Sequence, residues 1–388
     1  MDELYMGLAK DGEERRLLRF LDKVFTRIRA VRIPYFSILL PKLYKKEYAP
    51  CSNNLIVSDG KNIRAAVGFY MMDYAVGKGR LSACGIGNVA VGKKYRGMGY
   101  MKQLMNEAAR ICMEKGTDFM VLGGKRQRYN YFGYERLGLE YHYDVNSTNL
   151  RHVLGGGDSG SFSVRRLRPD DKAYLERIFA LRQAAPVHID VKPAALYDVL
   201  RSWLASPYVL IDNGEFAGYF VIRRRVGSVD EIRLEDNAKL PQAVSVIFEE
   251  FWSHKLSFTI SPAEGEANLF FRKLCEYAER RSPKSYLVLS YRRVLEAVMN
   301  EAHTRAPLAK GELRVKINGF AGEESLLIAV DENGVSVTEA AGSADCELEH
   351  LAAMRVFFDQ VCPERDALPA IARAWFPQAL FFPSADMV

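Results

Sequence analysis

The chain has 388 residues, of which 48% are hydrophobic and 26% are charged, and these values are ordinary for a soluble globular protein of two or three domains. No run approaches the roughly eighteen apolar residues of a membrane-spanning helix, and Met1-Asp2-Glu3-Leu4 lacks the basic start and apolar core of a secretory signal. The formal charge of +6 suits an anionic cofactor but is too diffuse to favour nucleic-acid binding. We therefore expect neither a membrane partner nor a nucleic-acid partner.

The first predicted element in the chain is a β-hairpin. Residues 55–57 and 65–70 are apolar and flank a turn with Asp59-Gly60, a pair typical of hairpin turns. The same pattern returns at residues 208–211 and 217–222, around an Asn213-Gly214 turn. The chain therefore contains a faint internal repeat.

Residues 88–101 combine an apolar strand, Val89-Ala90-Val91, with a glycine turn and a helix whose apolar positions recur at helical spacing. A glycine turn that opens a helix leaves backbone N–H groups unpaired beside the positive end of the helix dipole. Lys93, Lys94 and Arg96 add fixed positive charge, so the turn can hold a phosphate or pyrophosphate group. The apolar helical positions are Met101, Leu104, Met105, Ala108, Ile111 and Cys112.

Three kinds of phosphate-binding turn compete for this segment. A Walker loop is excluded, because Gly, four residues and Gly-Lys-Ser/Thr do not occur in that order. A dinucleotide turn needs G-x-G-x-x-G, but Gly97-Met98-Gly99 is followed by Lys102 in the third glycine position. Gly85-Ile86-Gly87, with Ala90 in third place, precedes the predicted strand, so we interpret that match as accidental.

What remains is Arg96-Gly97-Met98-Gly99-Tyr100-Met101, which resembles the R-x-x-G-x-G/A pyrophosphate loop of the GCN5-related N-acetyltransferases (GNAT). The sequence departs from that pattern at Met101, where we expect a less close backbone approach. Strand, glycine turn and helix also occur in many other α/β proteins. The resemblance is strengthened by a second motif, because a strand at residues 118–122 leads to a segment similar to the family's Tyr-x-x-Phe-Gly-Tyr, Tyr129 to Tyr134.

The resemblance implies acetyl-CoA as co-substrate and a role for particular residues. The strand would pair with the pantetheine arm and polarise the thioester carbonyl, and the turn would hold the pyrophosphate. Tyr129 matches the catalytic tyrosine that protonates the departing thiolate, with Tyr131 and Tyr134 as nearby alternatives. The implied cofactor-binding residues are Val89, Ala90, Val91, Arg96, Gly97, Met98, Gly99, Tyr100, Met101, Lys102, Gly124 and Lys125.

Two further units are predicted after residues 155–161, which form a flexible linker by composition. The second unit repeats the strand-then-helix series but has Glu235 and Asp236 where phosphate would lie, so it has lost the cofactor loop. A helix, three strands and further helices then resemble a sterol-carrier-like domain; the strands are residues 313–317, 325–330 and 335–338. The fold class is α+β (mixed α/β), with two tandem GNAT-like domains and a sterol-carrier-like domain at residues 1–157, 158–285 and 286–388.

This order resembles the enhanced-intracellular-survival (Eis) class of acetyltransferases. In that class the C-terminal α-carboxylate acts as general base in the first unit. The resemblance assigns that role to Val388, with Asp386 as a side-chain substitute. Residues 375–388 are too aromatic for a solvated tail, although they could equally pack on their own domain.

The cysteines and histidines show neither C-x-x-C nor H-x-x-x-H spacing. Reduced cysteines of a cytoplasmic protein without a bound metal are the simplest interpretation. The cysteines are Cys51, Cys84, Cys112, Cys275, Cys346 and Cys362.

We therefore predict an N-acetyltransferase that moves acetyl from acetyl-CoA directly to a primary amine, since no cysteine lies in either motif. The resemblance implies aminoglycoside-like or polyamine-like acceptors and a homo-oligomer. Tyr35, Phe36 and Tyr44 could line an acceptor pocket or pack in the core. An alternative of another class is a CoA-sensing or apolar-ligand carrier protein without turnover.

Overall fold

The computed structural model describes residues 4–26, 35–155 and 159–388, and the elements within these ranges are numbered in chain order. The strands are β1 (Tyr5–Leu8), β2 (Asn54–Ser58), β3 (Ile63–Val76), β4 (Gly79–Val91), β5 (Phe119–Leu122), β6 (Glu135–Leu137), β7 (Glu140–Asn146), β8 (Phe162–Arg166), β9 (Val187–Ile189), β10 (Ser206–Asp212), β11 (Glu215–Arg223), β12 (Ser228–Leu234), β13 (Lys255–Ile260), β14 (Tyr277–Arg281), β15 (Lys284–Val288), β16 (Gly311–Asn318), β17 (Glu323–Asp331), β18 (Gly334–Glu339) and β19 (Cys346–Glu349). The α-helices are α1 (Glu14–Phe25), α2 (Tyr35–Leu39), α3 (Pro41–Tyr44), α4 (Tyr100–Glu114), α5 (Arg126–Tyr129), α6 (Ser147–Leu154), α7 (Lys172–Gln183), α8 (Leu196–Leu200), α9 (Leu240–Glu250), α10 (Gly265–Leu274), α11 (Tyr291–Arg305), α12 (His350–Phe358) and α13 (Ala370–Trp375). Within the described ranges, none of these helices is both long enough and apolar enough to cross a bilayer.

The chain divides into two compact units, each built from separated segments. Unit 1 comprises Met1–Gly138, Ser282–Leu380 and Met387–Val388, and unit 2 comprises Leu139–Arg281 and Phe381–Asp386. This division follows contacts and not chain order, so the three predicted domains stay predictions. Residues 156–158 of the predicted linker lie outside the described residues. Residues 1–3, on which the expectation of no secretory signal rests, also lie outside them.

The main sheet of unit 1 has the order β1-β2-β3-β4-β5-β15-β6. Neighbours from β1 to β4 are antiparallel, whereas β4 and β5 are parallel. The predicted hairpin is confirmed as β2 and β3. Helix α4 packs on this sheet through Leu104, Met105, Ala108 and Cys112, at the predicted helical spacing.

Two strands of the main sheets come from distant parts of the chain. In unit 1, β15 pairs antiparallel with both β5 and β6. In unit 2, β7 pairs antiparallel with both β13 and β14. Neither insertion was predicted from the sequence, because the residue pattern of a strand determines its buried face and not its neighbour.

The segment Ser282–Leu380 also gives unit 1 a four-stranded sheet with the order β18-β17-β16-β19. The three predicted strands of this region are confirmed as β16, β17 and β18, and β19 was not predicted. The predicted apolar helix is α11, which buries Val294, Leu295 and Val298. The sterol-carrier-like assignment of this region stays a prediction.

The sheet of unit 2 has the order β14-β7-β13-β12-β11-β10-β8. Its predicted hairpin is confirmed as β10 and β11, and β12 and β13 are parallel. The core packs α9 and α10 against the sheet through residues such as Val244, Phe258 and Phe271. The predicted mixed α/β fold class is therefore confirmed in both units.

Candidate active site

The strand before the glycine turn carries a β-bulge. Gly68 of β3 pairs with Gly87 of β4 and Ala66 pairs with Ala90, so one residue of β3 opposes two residues of β4. One of these two is Asn88, whose φ of 41° lies in the left-handed region that asparagine tolerates better than most residues. A bulge bends its strand and increases the local twist. The predicted strand at residues 89–91 is therefore the final, redirected part of the longer β4.

Strands β4 and β5 separate close to this bulge. Their parallel register covers Ala83–Ile86 on β4 and Phe119–Leu122 on β5. Beyond it, β4 continues to Val91, while the chain after β5 turns through Gly123-Gly124. We call this opening, bounded by residues 87–91 and 123–124, the unit 1 splay. Backbone groups of residues 89–91 lie beyond the β5 register, where an extended ligand could pair with them.

The turn after β4 is open at both of its central glycines. Gly97 and Gly99 have φ values of 83° and 78°, which L side chains rarely adopt. Apart from the adjacent residues, no atom in the described part of the chain lies within 4 Å of where their Cβ atoms would be. Gly99 precedes α4 without a side-chain cap, so the N–H groups of residues 100–102 lack an intrahelical acceptor. Arg96 and Met98 are exposed beside them. This geometry suits an anionic group at the helix N-terminus.

Aromatic and cationic side chains hold the turn in place. The Arg64 guanidinium lies 4.9 Å from the ring centroid of Tyr95 and donates to the Tyr100 hydroxyl at 3.3 Å. At the start of α4, Lys102 Nζ lies 5.4 Å from the ring centroid of Tyr131. Hydrogen bonding to the Tyr131 phenol raises the pKa of Lys102, so this lysine stays cationic.

Tyr129 is the buried tyrosine at the end of α5. It is 6% exposed, compared with 66% for Tyr131. Its ring packs so closely on the Cα of Gly124 that a Cβ atom there would overlap it. Burial raises the pKa of Tyr129, although the charge of Arg128 acts in the opposite direction. The phenol therefore stays protonated at neutral pH and is a competent proton donor.

Tyr134, the other predicted alternative to Tyr129 as proton donor, is buried in the core. It is 2% exposed, and its hydroxyl donates to Met120 Sδ at 3.7 Å. Its ring lies edge-on to that of Tyr129, with the centroids 6.3 Å apart. The Tyr134 ring therefore packs against the Tyr129 ring in the core, whereas Tyr131 lies beside the turn.

The chain terminus lies on β4 at the unit 1 splay. The carboxyl carbon of Val388 is 3.2 Å from the position that a Cβ atom of Gly87 would take, and its Cγ2 is 2.6 Å from the same position on Gly85. Met387 Cε lies 3.9 Å from the corresponding position on Gly123. The Gly85-Ile86-Gly87 match does not precede the strand, as expected from the sequence, but lies within β4. Its glycines share one face and admit the terminus, which side chains there would exclude.

A hydrogen-bonded network of polar side chains flanks the bulge. The Tyr44 hydroxyl donates to Asn88 Oδ1 at 2.6 Å, and the Tyr70 hydroxyl donates to the Tyr44 oxygen at 2.9 Å. Asn88 Nδ2 donates to Asn54 Oδ1 at 2.9 Å. Burial raises the pKa of Tyr70 to about 12 and that of Tyr44 well above its ordinary value, so both remain neutral. The network fixes the Asn88 side chain and therefore the bulge.

Sequence analysis missed the members of this network other than Tyr44, which is 2% exposed. An asparagine inside an apolar strand was the available signal, because asparagine is depleted from strands and enriched at left-handed positions. The predicted acceptor-pocket role of Tyr44 stays a prediction.

The equivalent strands of unit 2 diverge in the same way. The parallel register of β12 and β13 covers only two pairs, Ser228 with Ser257 and Val229 with Phe258. We call the opening beyond these pairs, between residues 230–234 and 259–261, the unit 2 splay. After β12, Glu235 binds the Arg177 guanidinium at 2.5 Å, where unit 1 has its glycine turn.

Asp386, the predicted substitute for the terminal base, has a structural partner in unit 2. Its Oδ2 accepts a hydrogen bond from Arg182 Nη2 at 2.7 Å, and both side chains are 3% exposed. The Asp386 carboxylate is therefore already engaged in a buried ion pair within unit 2. The general-base roles of Val388 and Asp386 stay predictions.

The unit 1 splay therefore gathers most of the predicted site residues. Residues 89–91, the turn at 96–102, Gly124, Tyr129 and Val388 lie around it. Lys125 is exposed at the start of α5. The catalytic and binding roles of these residues stay predictions.

Comparison with known proteins agrees with this geometry. Residues 7–141 match the family model described as an acetyltransferase (GNAT) domain. No curated protein sequence is similar enough to this chain to count as a match.

Solved structures resemble the chain over nearly its whole length. A GCN5-related N-acetyltransferase from Anabaena variabilis has a TM-score of 0.71 at 16% identity, with 98% of each chain covered. Eis1 from Mycobacterium abscessus has a TM-score of 0.65 at 14% identity, with 98% of this chain and 99% of that chain covered. A GCN5-related N-acetyltransferase from Kribbella flavida has a TM-score of 0.64 at 18% identity, with 92% and 88% covered. Residues 7–141 thus match a GNAT acetyltransferase domain, within a chain that shares the fold of these proteins.

Proposed function

We propose that the unit 1 splay is the active site of an acetyl-CoA-dependent N-acetyltransferase that acts on a primary amine. The observation that carries the proposal is the buried Val388 carboxyl group beside Gly87, where β4 leaves the β5 register. A carboxylate at that point can accept a proton from an ammonium, and the β4 backbone beyond the bulge suits an extended acyl carrier.

The proposed reaction is a direct transfer. The Val388 carboxylate takes a proton from the ammonium, and the free amine attacks the thioester carbonyl while a backbone N–H of residues 89–91 stabilises the developing oxyanion. A C–N bond forms, the C–S bond breaks, and Tyr129 donates its proton to the departing thiolate. The second proton of the acylated nitrogen returns to the Tyr129 phenolate, which leaves a neutral amide and free CoA thiol. The turn at residues 96–102 holds the pyrophosphate. No cysteine lies in the turn or in the tyrosine segment to form an acetyl-enzyme.

The proposed acceptors are aminoglycoside-like or polyamine-like amines, as the resemblance of the sequence to the Eis class implies. Such amines are polycationic, and a carboxylate at the reacting nitrogen is the complementary charge. A sterol-carrier-like C-terminal domain and a homo-oligomer complete the proposal.

The test is thiol release from acetyl-CoA across aminoglycosides, polyamines and lysine peptides. We expect turnover with one amine class and its loss when two residues are added after Val388, because the carboxylate then moves from Gly87. Val388→Ala keeps the carboxylate and serves as the matched control, which should retain turnover. CoA binding without thiol release for any amine would contradict the proposal and favour the carrier alternative.

A further inference from the structure

Unit 2 contains a chain of five alternating buried charges. Arg182 donates to Glu231 Oε2 at 2.6 Å and to Asp386 Oδ2 at 2.7 Å. Arg233 donates to Glu231 Oε1 at 3.1 Å and also to the carboxylate of Glu264. The side chains of this series are between 3% and 17% exposed. In order, the series is Asp386, Arg182, Glu231, Arg233 and Glu264.

This series contains three carboxylates and two guanidinium groups, so it carries one excess negative charge when all five are ionised. The hydroxyl of Tyr219 also donates to Glu231 but adds no charge. An uncompensated charge away from water is costly, and either a proton or a nearby cation relieves the cost. Two neighbouring members of the series, Arg233 and the terminal Glu264, line a cleft.

That cleft has a volume of about 430 Å³, within the range of small-molecule sites. Its apolar lining includes Ile232, Leu234 and Leu240, which are 6%, 7% and 2% exposed. It lies against β12 and the starts of α9 and α10, beside the unit 2 splay.

Three carboxylates and the Arg233 guanidinium line the polar side of the cleft, and Arg233 is already bonded to Glu231 and Glu264. Besides Glu264, the carboxylates are Glu235, which is neutralised by Arg177, and Glu266, which accepts a hydrogen bond from the neutral Asn237 amide at 3.0 Å. Glu266 also occupies the first turn of α10, so the helix N-terminus already has its negative charge. Because the Arg233 guanidinium is shared between two carboxylates of the series, a phosphate would meet a net negative lining and be repelled.

We infer that this cleft is a second ligand site, which binds a small organic cation with an apolar body and an ammonium group. The ammonium would neutralise Glu264 and Glu266, and the body would cover the apolar lining. The inference concerns unit 2 alone and does not depend on acetyl transfer in unit 1.

The test uses 4-iodobenzylamine, a flat apolar ring with an ammonium group and an anomalous scatterer. We expect calorimetry on the full chain to detect its binding, and the iodine to appear in the cleft of soaked crystals. Glu264→Gln and Glu266→Gln should each raise the dissociation constant of 4-iodobenzylamine at the cleft by about tenfold or more, because each removes a charge-assisted contact. The matched anion 4-iodobenzoate should not bind there.

The control variant is Glu250→Gln, at the opposite end of α9 from Leu240 and about 15 Å along the helix axis. It should bind like the unmodified chain. Equal binding of 4-iodobenzoate, iodine only outside the cleft, or binding unchanged in both glutamine variants would overturn the inference. Iodine in crystals without binding in solution would mean binding at crystal concentration only, and would overturn it too. Absence of thiol release, in contrast, would affect only the proposed function.

Discussion

The two splays share a backbone plan and differ in what satisfies their charges. In unit 1, the turn after β4 is glycine-rich and open, and Arg96 is exposed. In unit 2, the charged side chains of the corresponding region pair with one another, such as Arg182 with Glu231, and carboxylates line the cleft beside them. Diverging parallel strands therefore provide only an opening between them. Whether that opening can take an anionic ligand depends on whether its positive charges are already neutralised within the fold.

The largest expected effect concerns the proton donor of unit 1. Tyr129→Phe should lower kcat by about 10²–10⁴-fold, because the phenol is proposed to protonate the thiolate. The change should affect KM for acetyl-CoA much less, and thiol release measures both quantities. Tyr134→Phe is the matched control from the same segment and should keep kcat within a few-fold of the unmodified chain. Equal losses in the two variants would remove Tyr129 from the mechanism.

The next effect is on stability, in unit 2. Arg182→Met should lower the free energy of unfolding by about 3–5 kcal/mol, since it leaves Glu231 and Asp386 buried without their shared partner. Arg177→Met, on the same helix, breaks the half-exposed pair with Glu235 and should cost about 1 kcal/mol or less. Denaturant titration measures both. Similar costs for the two variants would show that the buried series is not a structural network.

Arg96 should behave in the opposite way to Arg182. Because it is exposed, Arg96→Ala should change the free energy of unfolding by no more than about 0.5 kcal/mol. Loss of a charge-assisted contact to the pyrophosphate should weaken acetyl-CoA binding by about 10–100-fold. Calorimetric titration with acetyl-CoA checks this expectation. Unchanged affinity would mean that the phosphates lie elsewhere.

The smallest effect concerns the pH dependence of stability. Burial raises the pKa of Glu264, although the charge of Arg233 acts in the opposite direction. The folded state therefore favours the protonated carboxyl group, and this stabilisation is present at low pH and lost as the pH rises through the raised pKa. Glu264→Gln should accordingly be more stable than the unmodified chain at pH 7, and the two should converge near pH 4. Thermal unfolding at both pH values measures the difference, and the reverse order would contradict an excess negative charge.

Local patterns were sufficient to predict much of the fold. Turn chemistry located both hairpins, and helical spacing identified the buried face of α4. The insertion of β15 between β5 and β6 was not predictable in this way. Its partner strands lie far away in the chain, and an apolar strand carries no signal for a particular neighbour.

The candidate site was predictable where it is continuous in sequence. The turn and the tyrosine segment were found by their motifs, and Val388 was assigned through resemblance to the Eis class. The pairing of Asp386 with Arg182 spans 204 residues, so no local pattern could indicate it. Gly85 and Gly87 were interpreted as an accidental match because they precede the predicted strand at residues 89–91. Their close approach to the chain terminus leaves no trace in the surrounding sequence.

The most direct test of the difference between the splays is the stoichiometry of acetyl-CoA binding, measured by calorimetry on the full chain. We predict one site per chain, lost when Gly97 and Gly99 are both changed to Val, whose side chains are strained at those φ values. Circular dichroism would confirm that this variant is folded, and Glu235→Gln in unit 2 should leave the site intact. Two sites per chain, or a site that survives the changes in the unit 1 turn and disappears with Glu235→Gln, would contradict the account.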